Sequence, residues 1–171
     1  AFLQIETNGI LALPSYMGAT GPVNVMQTGV TIICSPKAGD QAGRTHYIMP
    51  HPSVLEHAAA LKFVLSHQEN ANQCYHRVPE WAMRWRDEYR RPIYVSPMNI
   101  YNRLPARVND LLRNPNAEDA RRRADAEIVT FWENGLLDMA ANQRNHEYAA
   151  RYALANGMRL TLQMHLYASL A

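Results

Sequence analysis

The chain has 171 residues and a mass of 19.4 kDa, which suits one domain of ordinary size. Hydrophobic residues make up 47% and charged residues 19%, enough apolar material for a core and too little charge for a disordered chain. The net charge of +2 is too small to indicate a nucleic-acid partner. No apolar run approaches the roughly 18 residues of a membrane span. The two cysteines, Cys34 and Cys74, exclude a disulfide-rich scaffold and any metal or iron–sulfur site made only of this chain's cysteines.

Five short apolar segments predict β-strands, each followed by polar residues, glycine or proline. They lie at 2–6, 30–34, 62–66, 93–95 and 159–164. The β-branched run at 30–34 is typical of a strand covered on both faces. Pro36 ends that strand because proline has no N–H for the ladder. The glycine-rich and proline-rich stretches at 11–29 and 39–53 are predicted to be loops.

Helical patterns separate the later strands. Leu55–Leu61 indicates a helical or extended approach to the third strand, and Pro79 predicts the first helical residue of the next helix. Further on, Asn116 is a favourable N-cap for a helix through Phe131, and Gly157 suits the end of a helix that starts near Leu136.

Alternating strands and helices predict an α/β fold with a mainly parallel sheet, forming part of an open parallel (β/α) barrel. We expect a single domain over 1–171 with a helical insertion around 67–134. Trp81, Trp85 and Tyr89 recur every four residues and favour a core-packing stripe over a stacking surface.

Polar residues lie at the ends of three predicted strands, at Glu6–Gly9, Ser35–Lys37 and Ser96–Asn99, and Gln163 and His165 share one side of the final strand by its period of two. The carboxyl ends of parallel strands meet at one edge, so these segments predict a common pocket. The alternative is that Ser-Pro pairs are simply turn formers.

Lys37 is one of only two lysines, and a lysine just past a strand end can reach a carboxylate or phosphate. A solvated turn lysine is an equal alternative. The seven histidines show no metal-ligand spacing, and His146 is interpreted as a packed or capped residue. The run Arg121–Arg123, interleaved with acids, indicates a solvated helix face rather than an RNA-binding patch.

An ordered set of segments closely resembles the 7-carboxy-7-deazaguanine synthase family of radical S-adenosylmethionine enzymes. The segments are Gln4–Gly9 (Gln-Ile-Glu-Thr-Asn-Gly), Ser35–Lys37 (Ser-Pro-Lys), Leu61–Val64 (Leu-Lys-Phe-Val) and the ending Arg159–Tyr167. The resemblance spans nearly the whole chain, yet two family features are missing. One is the Cys-x3-Cys-x2-Cys motif that holds a four-iron four-sulfur cluster, and the other is a Gly-Gly-Glu-Pro segment. The chain therefore looks like the C-terminal half to two-thirds of such an enzyme.

The resemblance implies residue roles. Ser35, Pro36 and Lys37 match a segment that binds S-adenosylmethionine, and a second cofactor segment comprises Ser96, Pro97, Met98 and Asn99. Ala171 is implied as a substrate contact, because in the family the terminal carboxylate approaches the substrate. No catalytic residue is assigned. No metal ligand is expected in this chain, since those of the cluster and of Mg²⁺ belong to the missing N-terminal part.

The implied reaction converts 6-carboxy-5,6,7,8-tetrahydropterin to 7-carboxy-7-deazaguanine with loss of ammonia, through a 5′-deoxyadenosyl radical. The implied partners are this pterin substrate, a second copy in a homodimer, and a reductant such as flavodoxin or ferredoxin. A cytoplasmic location is expected, with no nucleic-acid or membrane partner. Two alternatives stay open: a nucleoside-binding module without catalysis, and a structural or assembly role for a degenerate enzyme.

Overall fold

The structure, a computed structural model, describes residues 3–13, 30–41, 44–47, 49–69, 74–102 and 137–163. The chain falls into two compact units. The first comprises Ala1–Met98 with Asn145–Ala171, and the second comprises Asn99–Arg144. The helix predicted from Asn116 lies outside the described residues.

Seven strands are described: β1 (Leu3–Thr7), β2 (Val30–Cys34), β3 (Ala38–Gln41), β4 (Arg44–Tyr47), β5 (Ala60–Leu65), β6 (Ile93–Pro97) and β7 (Arg159–Leu160). Five of them form one sheet in the order β1-β2-β5-β6-β7, and every neighbouring pair is parallel. The fold is therefore α/β with a parallel sheet, as the sequence predicts. The five predicted strands are confirmed to within a few residues, although β7 is shorter than the predicted 159–164.

The loop prediction for 39–53 is wrong in its first part, because β3 and β4 form an antiparallel hairpin there. Their residues are mostly polar or small, so no apolar alternation marks them in the sequence. The hairpin is formed by hydrogen bonds between the two backbones, which the side-chain pattern of the sequence does not indicate.

Three helices are described: α1 (Pro52–His57), α2 (Glu80–Tyr89) and α3 (Met139–Ala155). Pro79 is the N-cap of α2 rather than its first residue, one position from the prediction. Gly157 has a φ of 61° and follows α3, which confirms the predicted end of that helix. The helix begins at Met139, slightly later than the predicted start near Leu136, and Leu137 pairs with Tyr101 in the second unit.

The core lies on one face of the sheet. Leu61, Phe63 and Leu65 alternate along β5 and are fully buried, together with Ile93 and Val95 of β6. Residues from all three helices belong to the same cluster: Val54, Ala82, Trp85, Ala149 and Ala153. The predicted core role of the aromatic stripe is confirmed.

The opposite face of the sheet carries polar side chains together with the apolar Ile33, Ala60 and Val64. Side chains alternate along a strand, so Glu6, Lys62, Tyr94 and Arg159 point away from the helix-covered core. Lys62, Tyr94 and Arg159 are direct partners in the strand register and form one row across three strands.

Candidate functional site

The candidate site is the edge of the sheet where the parallel strands end. Backbone bonds extend the ladders past the strands, with the Ser35 N–H donating to Thr7 O at 2.7 Å. Likewise the Met98 N–H donates to Leu65 O at 2.8 Å. The predicted residues 35–37 and 96–98 are therefore held by ladder bonds to β1 and β5, respectively.

Gly9 lies just past the end of β1 and is required by its geometry. Its φ is 77°, and a Cβ there would lie 2.8 Å from both Cys34 Sγ and Pro50 Cβ. The Gly9 carbonyl accepts a 2.7 Å hydrogen bond from the His51 N–H. Only glycine lets the chain turn here and tie the end of β1 to the start of α1.

The neighbouring strands β2 and β5 separate after Cys34. Only two residue pairs join them, Ile33 with Ala60 and Cys34 with Leu61. Beyond that point Tyr75 bonds β5 instead, donating its N–H to Val64 O at 2.9 Å. Residues 35–37 therefore do not continue beside β5 as a neighbouring strand of the sheet.

The structure places the two predicted cofactor segments at the same edge, with β5 between their strands. Ser35 and Pro36 are buried, whereas Lys37 is exposed. Lys37 forms no ion pair with any described residue.

In the second segment Ser96 and Pro97 are buried and Met98 is half-buried. Asn99 belongs to the second unit. No described hydrogen bond joins residues 35–37 to residues 96–98. The predicted Ala171 and His165 lie outside the described residues, and Gln163 is exposed.

Asn145 is the principal site residue that the sequence analysis missed. It is 0% exposed and lies on α3, and its Nδ2 donates to Met98 O at 2.9 Å. Its Oδ1 accepts from the His67 N–H at 3.0 Å and contacts His67 Nδ1 at 2.8 Å. Asn145 thus joins the segments that follow β5 and β6. The sequence does contain an indication of this role. Asn145 is the one polar residue in a series spaced by four that would share one face of a helix, the others being Ala141, Ala149 and Ala153.

A second histidine lies at the same edge. His76 Nδ1 is 3.1 Å from Ser66 O, and the His76 ring stacks on Tyr148 with centroids 4.8 Å apart. The Tyr148 hydroxyl donates to His76 O at 2.7 Å, and burial raises the pKa of Tyr148 above its ordinary value. These contacts dock α3 onto the segment that follows β5.

Charged side chains on the face opposite the core are paired. Lys62 Nζ lies 3.1 Å from Glu6 Oε2, with the two side chains 22% and 42% exposed. Arg159 donates to the Tyr94 hydroxyl at 3.0 Å, and its guanidinium also lies over that ring at 5.7 Å. Lys62 and Arg159 thus both have a polar partner on this face of the sheet.

Both cysteines, Cys34 and Cys74, are free and buried. Burial raises the pKa of Cys34 to about 12 and also raises that of Cys74. A metal or cluster binds the thiolate, which such burial disfavours. Cys74 Sγ also lies 3.1 Å from Met98 Sδ. Among the described residues, no group of three or more His, Cys, Asp or Glu could hold a metal ion.

Comparison of the chain with protein-family models, curated proteins and solved structures gives no match. Within the part of the chain that the structure describes, no helix is long and apolar enough to cross a membrane.

Proposed function

We propose that the chain is the C-terminal part of a radical S-adenosylmethionine enzyme of the 7-carboxy-7-deazaguanine synthase type. Its reaction would convert 6-carboxy-5,6,7,8-tetrahydropterin to 7-carboxy-7-deazaguanine with loss of ammonia. The family resemblance implies this chemistry, and the order of the strands in the parallel sheet supports the proposed fold type.

The first support is the sheet order. Four successive steps, β1 to β2 to β5 to β6 to β7, move in one direction across the sheet. A doubly wound sheet reverses its strand order and carries helices on both faces. With right-handed crossovers and no reversal, the helices stay on one face, as the core cluster shows. This arrangement favours a sheet that curls into part of a barrel, with the polar row of Lys62, Tyr94 and Arg159 lining its inside.

The observation that carries the proposal is the position of the two Ser-Pro segments. Ser35–Pro36 and Ser96–Pro97 both lie at the carboxyl edge of the sheet, where (β/α) barrels bind their ligands. Lys37 is an exposed cation beside the first segment. We propose that Lys37 binds the carboxylate of S-adenosylmethionine by a charge-assisted hydrogen bond.

The cluster and the nucleoside differ in their fit to this chain. The carboxyl edge offers a nucleoside the exposed cation of Lys37. The cluster does not fit, because the sequence has only two cysteines and both are buried. When bound, S-adenosylmethionine supplies the radical chemistry, while this chain's residues position ligands and exclude water.

Calorimetric titration of S-adenosylmethionine into the chain tests the proposal. Lys37→Ala should weaken binding roughly ten- to a hundredfold, the range for losing a hydrogen bond to a charged group. Arg84→Ala is the matched control, since Arg84 is an exposed cation on α2 with a side chain 75% exposed. It should change affinity less than about twofold. Absence of binding by the wild type, or equal affinities for wild type and Lys37→Ala, would contradict the proposed site.

A nucleoside-binding module without catalysis is the second candidate. It differs from the first candidate because it needs no cluster, and the two buried cysteines of the sequence are too few for the Cys-x3-Cys-x2-Cys motif. Binding of S-adenosylmethionine by the 171-residue chain, with no turnover by a longer form of the protein that carries a cluster, would support this alternative. Turnover by a longer form of the protein that carries a cluster would support the enzyme.

A further inference from the structure

The tautomer of the His67 imidazole is set by a buried neighbour, Asn145. His67 follows β5 at the carboxyl edge, and its Nδ1 lies 2.8 Å from Asn145 Oδ1. The ring is half-buried, whereas Asn145 is 0% exposed.

The orientation of the Asn145 amide is fixed by backbone groups whose roles are unambiguous. The His67 N–H is a donor and lies 3.0 Å from Oδ1, and the Met98 carbonyl is an acceptor and lies 2.9 Å from Nδ2. Exchanging the two amide atoms would set a donor against a donor and an acceptor against an acceptor. The Oδ1 atom therefore faces the His67 ring as an acceptor.

A ring nitrogen that faces an acceptor must carry a proton. The neutral His67 ring therefore has its proton on Nδ1 and its lone pair on Nε2. No described hydrogen bond uses Nε2. The lone pair is thus available at the edge where the strands end.

We propose that His67 Nε2 is the hydrogen-bond acceptor of the carboxyl-edge site, accepting from an N–H or O–H group of a bound ligand. Asn145 is its positioning residue, because it fixes both the rotation and the tautomer of the ring. The same device, a second residue that orients an imidazole through Nδ1, operates in metal sites and hydrolases. The inference rests on the proposed function only for the identity of the ligand, a nucleoside with hydroxyl and amino groups.

Two other histidines give internal references. His51 Nδ1 accepts from the Ser53 N–H at 3.2 Å, so its neutral ring has the proton on Nε2. His57 Nδ1 lies 2.8 Å from Ser53 O, so its proton is on Nδ1 as in His67. His57 ends α1, just before β5 begins, and therefore lies at the opposite edge of the sheet. It shares the tautomer of His67 and differs in location.

The test uses the full chain labelled with ¹⁵N-histidine. Long-range ¹H–¹⁵N spectra at about pH 8.5, where an unperturbed imidazole is neutral, identify the protonated nitrogen of each ring. His67→Gln, His57→Gln and His51→Gln assign the three signals. We expect Nδ1–H for His67 and His57 and Nε2–H for His51. An Nε2–H tautomer at His67 would overturn the inference whatever the cofactor does.

S-adenosylmethionine is then added at a concentration that calorimetry shows to be saturating. The Nε2 signal of His67 should move while that of His57 stays, and His67→Gln should weaken binding roughly three- to tenfold. His57→Gln should change affinity less than about twofold. A His67 signal that stays unmoved while calorimetry reports binding removes His67 from the site and leaves the proposed function standing.

If calorimetry finds no binding, the proposed function fails and the acceptor is tested with diethylpyrocarbonate alone. The reagent acylates an accessible imidazole lone pair, which peptide mass mapping locates. Acylation at His67 Nε2 at a rate at least equal to that of His57 supports an available acceptor. Absence of acylation at His67 overturns it.

Discussion

Replacing Gly9 by alanine should destabilise the protein more than the same change at Gly157. Both glycines have a positive φ, 77° and 61°, so both substitutions carry the cost of the left-handed region, about 1–2 kcal/mol. At Gly157 nothing lies within 4 Å of an added Cβ, whereas at Gly9 the Cβ would meet Cys34 Sγ and Pro50 Cβ at 2.8 Å. Cys34 is 0% exposed and Pro50 is buried, so neither can move aside freely. Overpacking of this kind adds about 1–3 kcal/mol.

The expected loss in the free energy of unfolding is therefore about 1–2 kcal/mol for Gly157→Ala and about 2–5 kcal/mol for Gly9→Ala. Urea denaturation followed by circular dichroism measures both values, and an unchanged m-value shows that the two states are comparable. Gly157→Ala serves as the matched control because it isolates the backbone term. Equal losses for the two variants would refute the close approach of Gly9 to Cys34 and Pro50.

Three further predictions follow from the face opposite the core and from the thiols. In a double-mutant cycle, Lys62→Ala and Glu6→Ala should show a coupling of about 0.2–1 kcal/mol, because their ion pair is partly exposed; a zero value in low salt would place the two groups apart. Burial raises the pKa of Cys34 from 9.0 to about 12, so the unfolded thiol loses its proton at a lower pH than the folded one and stability falls as pH rises above 9. Between pH 8 and 10 the free energy of unfolding should fall by about 1.4 kcal/mol more in the wild type than in Cys34→Ala, as chemical denaturation would measure; parallel pH profiles would contradict this burial. Anaerobic reconstitution followed by iron and sulfide analysis should find no stoichiometric cluster on the 171-residue chain, and a near-stoichiometric one would show that the thiols are accessible.

The parallel sheet could be predicted from sequence because its strands carry strong local signals. Residues 30–34 are nearly all β-branched, and Pro36 marks where the ladder must end. The hairpin of β3 and β4 could not be predicted in the same way, since it depends on backbone pairing between polar or small residues. The end of α3 was predictable because Gly157 is needed for a local positive φ. Its start at Met139 lies slightly later than predicted, and the pairing of Leu137 with Tyr101 is non-local.

The candidate site was predictable only in part. The strand ends that carry Ser35 and Ser96 follow from local sequence, and so does their arrival at one edge. The joining of His67 to Met98 by Asn145 depends on a contact 78 residues apart in sequence, between Asn145 and His67, that no periodicity specifies. Lys62 shows the opposite case, because its place in a strand was predicted while its pairing with Glu6, 56 residues away, was not.

The narrow junction between β2 and β5 has a consequence for cooperativity. Five residue pairs join β1 to β2 and five join β5 to β6, but only two join β2 to β5, so the sheet has a β1–β2 half and a β5–β6 half. Hydrogen exchange should therefore report two units of protection in this sheet, with the β1–β2 ribbon opening at lower free energy than β5 and β6. A ligand held by both Ser35–Lys37 and Ser96–Met98 would connect the two halves across that junction. Its binding energy would then appear as slower exchange in the β1–β2 ribbon, far along the strands from the ligand itself.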